Sequence, residues 1–277
     1  GHITQEESER AIEALQDALG DAGTRFFPGK SYRNILILEG DFDSVECTPP
    51  HDITGRETEP YLPRGEGSGR VLELMRLSRG VLAGLEGMPA DTIWPWSQGR
   101  RMELDSFASL YDVTGKVISA VDLVCGIGRL AGLEPLDVPG ATGYLDTDYA
   151  AKGRAAVEAM KSGDFVFVHV EAPDEASHTG DVEEKVLALE RFDEHIAGPL
   201  FAHLAGAGRA YRLLAAPDHP TLTRTRTHDA GAVPFAVCGY GVPASGAEGF
   251  NEKAAARGPR IEEGWTLMGK LISPDAW

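Results

Sequence analysis

Two carboxylates and three imidazoles are the residues of this chain best suited to chemistry. Asp174 and His178 lie four residues apart, Asp218 and His219 are neighbours, and His228 follows a short distance downstream. Aspartate oxygens and histidine nitrogens are common protein ligands of Zn²⁺ and Mn²⁺. The pattern predicts a centre that holds two divalent metal ions.

The first pair follows residues 164–170, an almost wholly apolar stretch typical of a central parallel strand. If a helical turn comes next, the four-residue spacing puts Asp174 and His178 on one face. The plain alternative is that Asp174 caps a helix and His178 is a surface histidine. The spacing by itself leaves both interpretations open.

The second pair follows another predicted strand, and its two members are adjacent. Neighbouring residues of a strand point to opposite faces, so Asp218 and His219 could not share an ion inside regular β-structure. Pro217 and Pro220 bracket them and interrupt the strand, which frees both side chains to turn to one side. An ordinary Pro-Asp turn is the competing interpretation.

The remaining histidines differ in their setting. His228 lies in a loop, where a histidine is usually solvated, but it falls at the same edge of the predicted sheet as the two pairs. Polar groups at the carboxyl ends of strands mark the usual active-site edge of an α/β protein. His195 and His203 lie on a long predicted helix and are interpreted as surface or packing residues.

The elements that must position these residues alternate between strand and helix from about residue 105 onward. That rhythm predicts an α/β fold with helices on both faces of a sheet. The predicted strands are 117–119, 134–138, 164–170, 211–216 and 233–239, and the predicted helices are 120–131, 148–161 and 183–204.

The first hundred residues are organised differently. A Thr4–Glu7 capping box predicts a helix, and residues 34–38 indicate a buried strand. A loop over 48–69 precedes a helix predicted at 70–85. Residues 87–105, with glycine, proline and two tryptophans, are the best candidate for a linker.

Bulk properties limit the partners. A chain of 277 residues with a formal net charge of −17 is unsuited to nucleic acid or an anionic membrane, because both require a basic face. No apolar stretch is long enough to cross a membrane. Cys47, Cys125 and Cys238 form no CxxC pair, which predicts a reducing, cytoplasmic location.

Several motifs in order resemble the archaeal-type cofactor-independent phosphoglycerate mutases of the alkaline phosphatase superfamily, over nearly the whole chain. The motifs are Val168–His178, Asp218–Thr221, Thr227–His228 with Val233–Phe235, Phe27–Arg33, Pro50–Arg56, Ile118–Asp122 and Pro139–Thr147.

The resemblance implies an alkaline-phosphatase-like sheet sandwiched by helices, incomplete here, in residues 91–277. It implies a smaller α/β domain that closes over substrate in residues 1–90. One metal ion would be held by Asp174, His178 and His228, and a second partly by Asp218 and His219.

Substrate contacts are implied by the same resemblance. Lys152 resembles the family's basic residue near the phosphoryl group, and a plain surface lysine is the alternative. His51, Asp52 and Arg56, with Arg33, resemble contacts to the substrate from the smaller domain, and a solvated loop is the alternative there.

The chain also departs from the family pattern. Members open with a strand that ends in a metal-binding aspartate, and a serine or threonine nucleophile follows. Neither has a counterpart here, so we expect a C-terminal fragment that lacks about the first quarter to third of the enzyme. The fragment alone would be inactive, and a separate N-terminal piece of the same enzyme would be its partner.

The reaction implied for the intact enzyme is interconversion of 3-phosphoglycerate and 2-phosphoglycerate through a phosphoenzyme. It would use two divalent ions (Mn²⁺, Zn²⁺ or Mg²⁺) and no bisphosphoglycerate, and its partner would be a small phosphorylated hydroxy acid. A phosphatase or a phosphotransferase acting on another alcohol, such as homoserine, is the second hypothesis. An inert metal-binding fragment is the third.

Overall fold

The computed structural model describes residues 3–30, 32–53 and 55–273, with the backbone alone at residues 51 and 52. The chain divides into two compact units, residues 1–102 and 103–277. The assignment of a substrate-closing domain to 1–90 and a metal-binding domain to 91–277 stays a prediction.

The first unit is built from two helices and a two-stranded antiparallel sheet. The Thr4–Glu7 capping box is confirmed, since the Thr4 hydroxyl and the Glu7 carboxylate satisfy each other's backbone N–H groups. Its elements are α1 (Gln5–Leu19), β1 (Thr24–Lys30), β2 (Arg33–Leu38), short 3₁₀ turns at Pro50–Ile53 and Glu59–Tyr61, and α2 (Ser68–Ala83).

The expectation of a buried strand at 34–38 is wrong for one of its faces. Ile35 and Ile37 are 59% and 39% exposed, whereas Leu36 and Leu38 pack against the core around Phe26 and Leu15. Among the described residues, helices cover one face of this sheet, so its side chains alternate between core and solvent. The strand β1, which pairs with β2 in the antiparallel direction, was not predicted.

Much of the predicted linker 87–105 packs on the first unit. Trp94 donates its indole N–H to the carbonyl of Thr48 at 2.8 Å, and Ile93 N–H donates to the buried Ser78 hydroxyl at 3.1 Å. These long-range hydrogen bonds explain why the compact unit extends to residue 102.

The second unit has the predicted alternation of helix and strand, and the α/β class is confirmed. Its first part contains α3 (Phe107–Tyr111), β3 (Gly115–Ile118), α4 (Asp122–Leu130), β4 (Glu134–Pro135), α5 (Tyr149–Ser162) and β5 (Phe165–Val168). Its second part contains α6 (Ala172–Thr179), α7 (Val182–Phe192), α8 (Gly198–Gly206), β6 (Arg212–Ala215), β7 (Thr221–Leu222), β8 (Thr227–His228), β9 (Ala236–Gly239), α9 (Glu252–Ala255) and α10 (Thr266–Ile272).

Four of the predicted strands are shorter than expected, and 134–138 and 233–239 are two of them. The stretch 134–138 forms a strand only at Glu134–Pro135, and 233–239 only at Ala236–Gly239. Pro234 has no N–H to donate, so regular pairing cannot extend through the start of 233–239. Pro135 itself pairs with Val117, and Leu136 still donates to the carbonyl of Val117 at 2.9 Å.

A parallel sheet with the strand order β4-β3-β5 lies in the second unit. Val117 and Ile118 of β3 are at most 1% exposed, and Ile118 packs with Ala156, Ala172 and Ile196. The antiparallel pairs β6-β9 and β7-β8 complete the strands. The N–H of His169 donates to the carbonyl of Ile118 at 2.8 Å, so the polar segment after β5 begins beside the buried strand β3.

The long predicted helix 183–204 is interrupted. Residues Asp193–Ala197 form a π-helical segment between α7 and α8. The carbonyl oxygen of His195 there approaches Gly153 of α5 so closely that a Cβ on Gly153 would lie 1.9 Å from it. The sequence does contain a local signal for this interruption, because Pro199 lies inside the predicted helix and has no N–H to donate to the carbonyl of His195 four residues earlier.

Among the described residues, no helix has both the length and the apolar character needed to span a bilayer.

Candidate metal centre

The first two candidate ligands lie on α6, which starts four residues after β5 ends. Pro173 occupies its first turn and Gly180 ends it with a positive φ of 81°. Asp174 and His178 are one helical turn apart, with 3.1 Å between Asp174 Oδ2 and His178 Nε2. The expected shared face is confirmed.

The third candidate ligand comes from the β7-β8 hairpin. In that hairpin His228 is the direct cross-strand partner of Thr221, and Arg226 closes the turn with a positive φ of 56°. His228 Nε2 lies 3.1 Å from His178 Nε2 and 3.4 Å from Asp174 Oδ1. One donor atom from each of these three residues lies within 4.8 Å of the others.

The donor set fits a divalent ion. Donor atoms bound tetrahedrally at about 2.0–2.1 Å from one ion are about 3.3 Å apart, close to the observed separations. His178 Nδ1 is 3.0 Å from the carbonyl oxygen of Arg226, which can only accept a hydrogen. We therefore assign the hydrogen to Nδ1, so the lone pair of Nε2 faces Asp174 and His228.

Asp218 and His219 lie beside this cluster rather than within it. The rings of His219 and His228 are 4.0 Å apart between centroids. Asp218 Oδ1 accepts the backbone N–H of His219 at 3.0 Å, and Asp218 Oδ2 lies 3.4 Å from His219 Nε2. The five predicted ligands thus form one contiguous patch, and the assignment of the last two to a second ion stays a prediction.

His169 was missed by the sequence analysis. It follows β5 directly, and its Nδ1 lies 3.2 Å from the hydroxyl of Ser119. Burial is the main reason why the pKa of His169 is lowered. The negative charges of Asp218 and Asp174 act to raise that pKa, and the positive charge of Lys152 lowers it further. The only sequence signal was a polar residue at the end of an apolar strand, which also describes many structural histidines.

The lowered pKa of His169 predicts an acid-sensitive stability in metal-free protein. As pH falls below about 6.5, the unfolded chain takes up a proton before the folded chain does. The free energy of unfolding therefore decreases through that window and levels off below the folded-state pKa. Urea unfolding with chelator between about pH 7 and pH 5 measures this.

The matched variants are His169→Gln and His203→Gln. The first is expected to flatten the pH dependence and the second to leave it unchanged. An unaltered dependence in His169→Gln would contradict the assignment.

Lys152 is buried, so the surface-lysine alternative does not describe it. Its side chain is among the largest fully buried ones, at 1% exposure. Nζ donates to the carbonyl oxygens of Thr142 at 3.3 Å and His169 at 3.4 Å. Burial lowers the pKa of Lys152, and the nearby charge of Glu171 opposes that shift. Its role near a phosphoryl group stays a prediction.

The other candidate substrate residues belong to the first unit. Arg56 is exposed and donates to the Tyr61 hydroxyl at 3.2 Å, and Arg33 is exposed with its guanidinium 5.5 Å from the Tyr32 ring centre. The side chains of His51 and Asp52 lie outside the described residues. The substrate role of all four stays a prediction.

His195 and His203 lie in the π-helical segment and in α8, and neither belongs to the donor cluster found among the described residues.

Two family models match the sequence. One, described as the metalloenzyme superfamily, matches residues 64–259, which include all five candidate ligands. The other, described as 2,3-bisphosphoglycerate-independent phosphoglycerate mutase, matches residues 1–86.

Curated relatives carry the same description. A protein of Methanothrix thermoacetophila named 2,3-bisphosphoglycerate-independent phosphoglycerate mutase is 45% identical over 99% of this chain and 71% of its own length. A protein of that name from Methanosarcina acetivorans is 44% identical over 98% of this chain and 72% of its own length.

Solved structures share the fold at low identity. The PH0037 protein of Pyrococcus horikoshii matches with a TM-score of 0.70 at 21% identity, over 93% of this chain and 65% of that one. The cofactor-independent phosphoglycerate mutase of Thermoplasma acidophilum matches with a TM-score of 0.62 at 21% identity, over 96% of this chain and 70% of that one. The chain thus spans about two thirds to three quarters of the length of these proteins.

Proposed function

The chain belongs to the 2,3-bisphosphoglycerate-independent phosphoglycerate mutases of the metalloenzyme superfamily, and on that premise we propose that it forms the metal-binding part of an enzyme that interconverts 3-phosphoglycerate and 2-phosphoglycerate. The observation that carries the proposal is the convergence of Asp174, His178 and His228. Two elements far apart in sequence, α6 and β8, supply these donors, and a merely structural role requires no such meeting.

The bound ions would supply positive charge that stabilises the phosphoryl oxygens during transfer between hydroxyl groups. Asp174, His178 and His228 would hold one ion, and Asp218 and His219 would contribute to a second. Two or more imidazole ligands favour Mn²⁺ or Zn²⁺ over Mg²⁺, which prefers oxygen.

The chain's other residues would orient the ligands and the substrate. The carbonyl of Arg226 keeps the His178 ring in the orientation in which Nε2 faces the other donors. Lys152, held between two carbonyl oxygens, would present a cation toward a phosphoryl group at the carboxyl end of β5. The glycerate moiety would be bound by Arg33, His51, Asp52 and Arg56. These residues would also exclude water, so that the phosphoryl group is returned to glycerate and not hydrolysed.

A coupled enolase assay with 3-phosphoglycerate and added Mn²⁺, Zn²⁺ or Mg²⁺ tests the proposal. The assay uses the chain alone and the chain fused to the part of the Methanothrix relative that it does not match. We expect flux from the fusion without bisphosphoglycerate. We expect none from the chain alone, because the family's hydroxyl nucleophile has no counterpart in its motifs.

Each other outcome decides against part of the proposal. Release of inorganic phosphate without flux would identify a phosphatase, and transfer to homoserine would identify a phosphotransferase with another acceptor. If the fusion binds metal but shows no mutase, phosphatase or phosphotransferase activity, the chain is an inert metal-binding fragment. Flux from the chain alone would refute its expected inactivity while supporting the mutase.

We also propose a cytoplasmic location. Cys47, Cys125 and Cys238 are free thiols, which is the usual state in a reducing compartment. Burial raises the pKa of Cys47 and Cys238, which favours the protonated thiol in both.

A further inference from the structure

A single buried hydroxyl lies between the two sets of candidate ligands. Thr221 is 6% exposed, and its Oγ1 is hydrogen-bonded to Asp174 Oδ1. The same Oγ1 lies 3.2 Å from His219 Nδ1. Asp174 belongs to the first ligand set and His219 to the second, so one side chain contacts both.

The direction of these two hydrogen bonds follows from what each group can do. A threonine hydroxyl has one hydrogen to donate and can accept, whereas an ionised carboxylate can only accept. Thr221 must therefore donate to Asp174, and its oxygen must accept the second bond from His219. That places the hydrogen of the neutral His219 ring on Nδ1 and leaves a lone pair on Nε2.

The assigned tautomer prepares His219 for an ion. Its Nε2 lone pair faces Asp218 Oδ2 at 3.4 Å, so two acceptors point at the same small region. Together they would hold a cation, whose charge would offset the repulsion between the two acceptors. On the other side, the hydrogen bond from Thr221 fixes the plane of the Asp174 carboxylate, whose Oδ2 faces His178.

The backbone of Thr221 is itself held in place. Thr221 is paired with His228 across the β7-β8 hairpin, and its carbonyl oxygen accepts from Lys185 Nζ at 2.8 Å. The residue before it, Pro220, accepts the N–H of Asp229 at 2.9 Å. The hydroxyl is therefore fixed by the same hairpin that presents the third ligand of the first set.

We propose that Thr221 is a positioning residue shared by both metal positions, because it orients the carboxylate of Asp174 and selects the tautomer of His219. The inference rests on the proposed metal centre, and it adds a residue that binds neither ion. It predicts that loss of the Thr221 hydroxyl lowers the binding affinity for both ions together, although Thr221 is not a ligand.

The test compares Thr221→Val, which keeps the shape, with Thr221→Ser, which keeps the hydroxyl. Thr225→Val is the matched control, since Thr225 is an exposed threonine in the same hairpin. Co²⁺ and Zn²⁺ are titrated into each protein by calorimetry, with the visible absorption of bound Co²⁺ as the reporter of ligand geometry. Thermal unfolding of each metal-free variant shows whether it folds.

We expect Thr221→Val to weaken both binding steps by roughly 10- to 100-fold, as loss of a hydrogen-bond partner behind a metal ligand does. Its Co²⁺ spectrum should change, while Thr221→Ser and Thr225→Val should match the unmodified chain. Normal affinity and spectrum in Thr221→Val would overturn the proposal, and so would a loss that Thr221→Ser does not restore.

A second measurement needs neither a variant nor a metal. Long-range ¹H–¹⁵N NMR of the metal-free chain reports which ring nitrogen of His219 carries the hydrogen, and we expect Nδ1. A hydrogen on Nε2 would overturn the role of Thr221. If the chain binds no metal, the proposed function fails, whereas the NMR result still decides the orientation of His219.

Discussion

Replacement of Asp174 by alanine is expected to lower the affinity for Zn²⁺ by roughly 100-fold or more. Complete zinc sites with four ligands bind with about 10–16 kcal/mol, so one ligand contributes about 3 kcal/mol, and each 1.4 kcal/mol is tenfold. Asp174 also supplies the only negative charge among the three convergent donors. Its loss leaves two neutral imidazoles, which attract a divalent cation much less strongly.

The measurement is competition with a coloured zinc chelator, and Glu175→Ala is the control. Glu175 is a carboxylate on the same helix but is not one of the three convergent donors. Its removal changes the net charge equally, and we expect an effect of about threefold at most, since remote charges are largely screened. Equal losses in the two variants would show that charge alone, not ligation by Asp174, determines binding.

Replacement of Gly153 by alanine is expected to destabilise the second unit by about 3 kcal/mol, the upper part of the range for overpacking. The added Cβ would lie 1.9 Å from the carbonyl oxygen of His195, and that atom belongs to the backbone of the π-helical segment. A backbone atom cannot move aside as a flexible side chain can. The expected decrease in Tm is roughly 6–12 °C for a chain of this size.

Gly126→Ala is the matched control for that substitution. Gly126 lies in α4, and nothing is within 4 Å of the position of its Cβ. Alanine there should raise stability by up to about 1 kcal/mol, because it favours the helix. Thermal unfolding of both variants without metal separates the two effects, and a Gly153→Ala protein as stable as the unmodified chain would refute the close contact.

The sequence predicted those parts of the centre that depend on local geometry. Asp174 and His178 share a face because residues four apart in any helix do, and the capping box at Thr4 is equally local. His228 was selected from its place at the predicted sheet edge. Its actual meeting with His178 depends on a hairpin of two-residue strands, whose turn places Arg226 at a positive φ.

That hairpin could not be foreseen because Arg226 contradicts the usual preference. Glycine, asparagine and aspartate are the residues that normally adopt positive φ in a turn. The role of Thr221 could not be predicted either, although the Asp-His-Pro-Thr motif contains this residue. Its hydroxyl is bonded to Asp174, which lies on a different element far away in the sequence. The exposed face of β2 depends likewise on what packs beside it, whereas the break in the helix 183–204 could have been predicted from Pro199.

The central claim is that Asp174, His178 and His228 bind one ion together. Anomalous diffraction at the zinc edge, from crystals of the chain grown with Zn²⁺, tests it most directly. We expect the strongest anomalous peak at about 2.0–2.2 Å from the Asp174 carboxylate and from Nε2 of each histidine. A strongest peak elsewhere, or no peak at these three residues with Zn²⁺ in excess, would contradict the account.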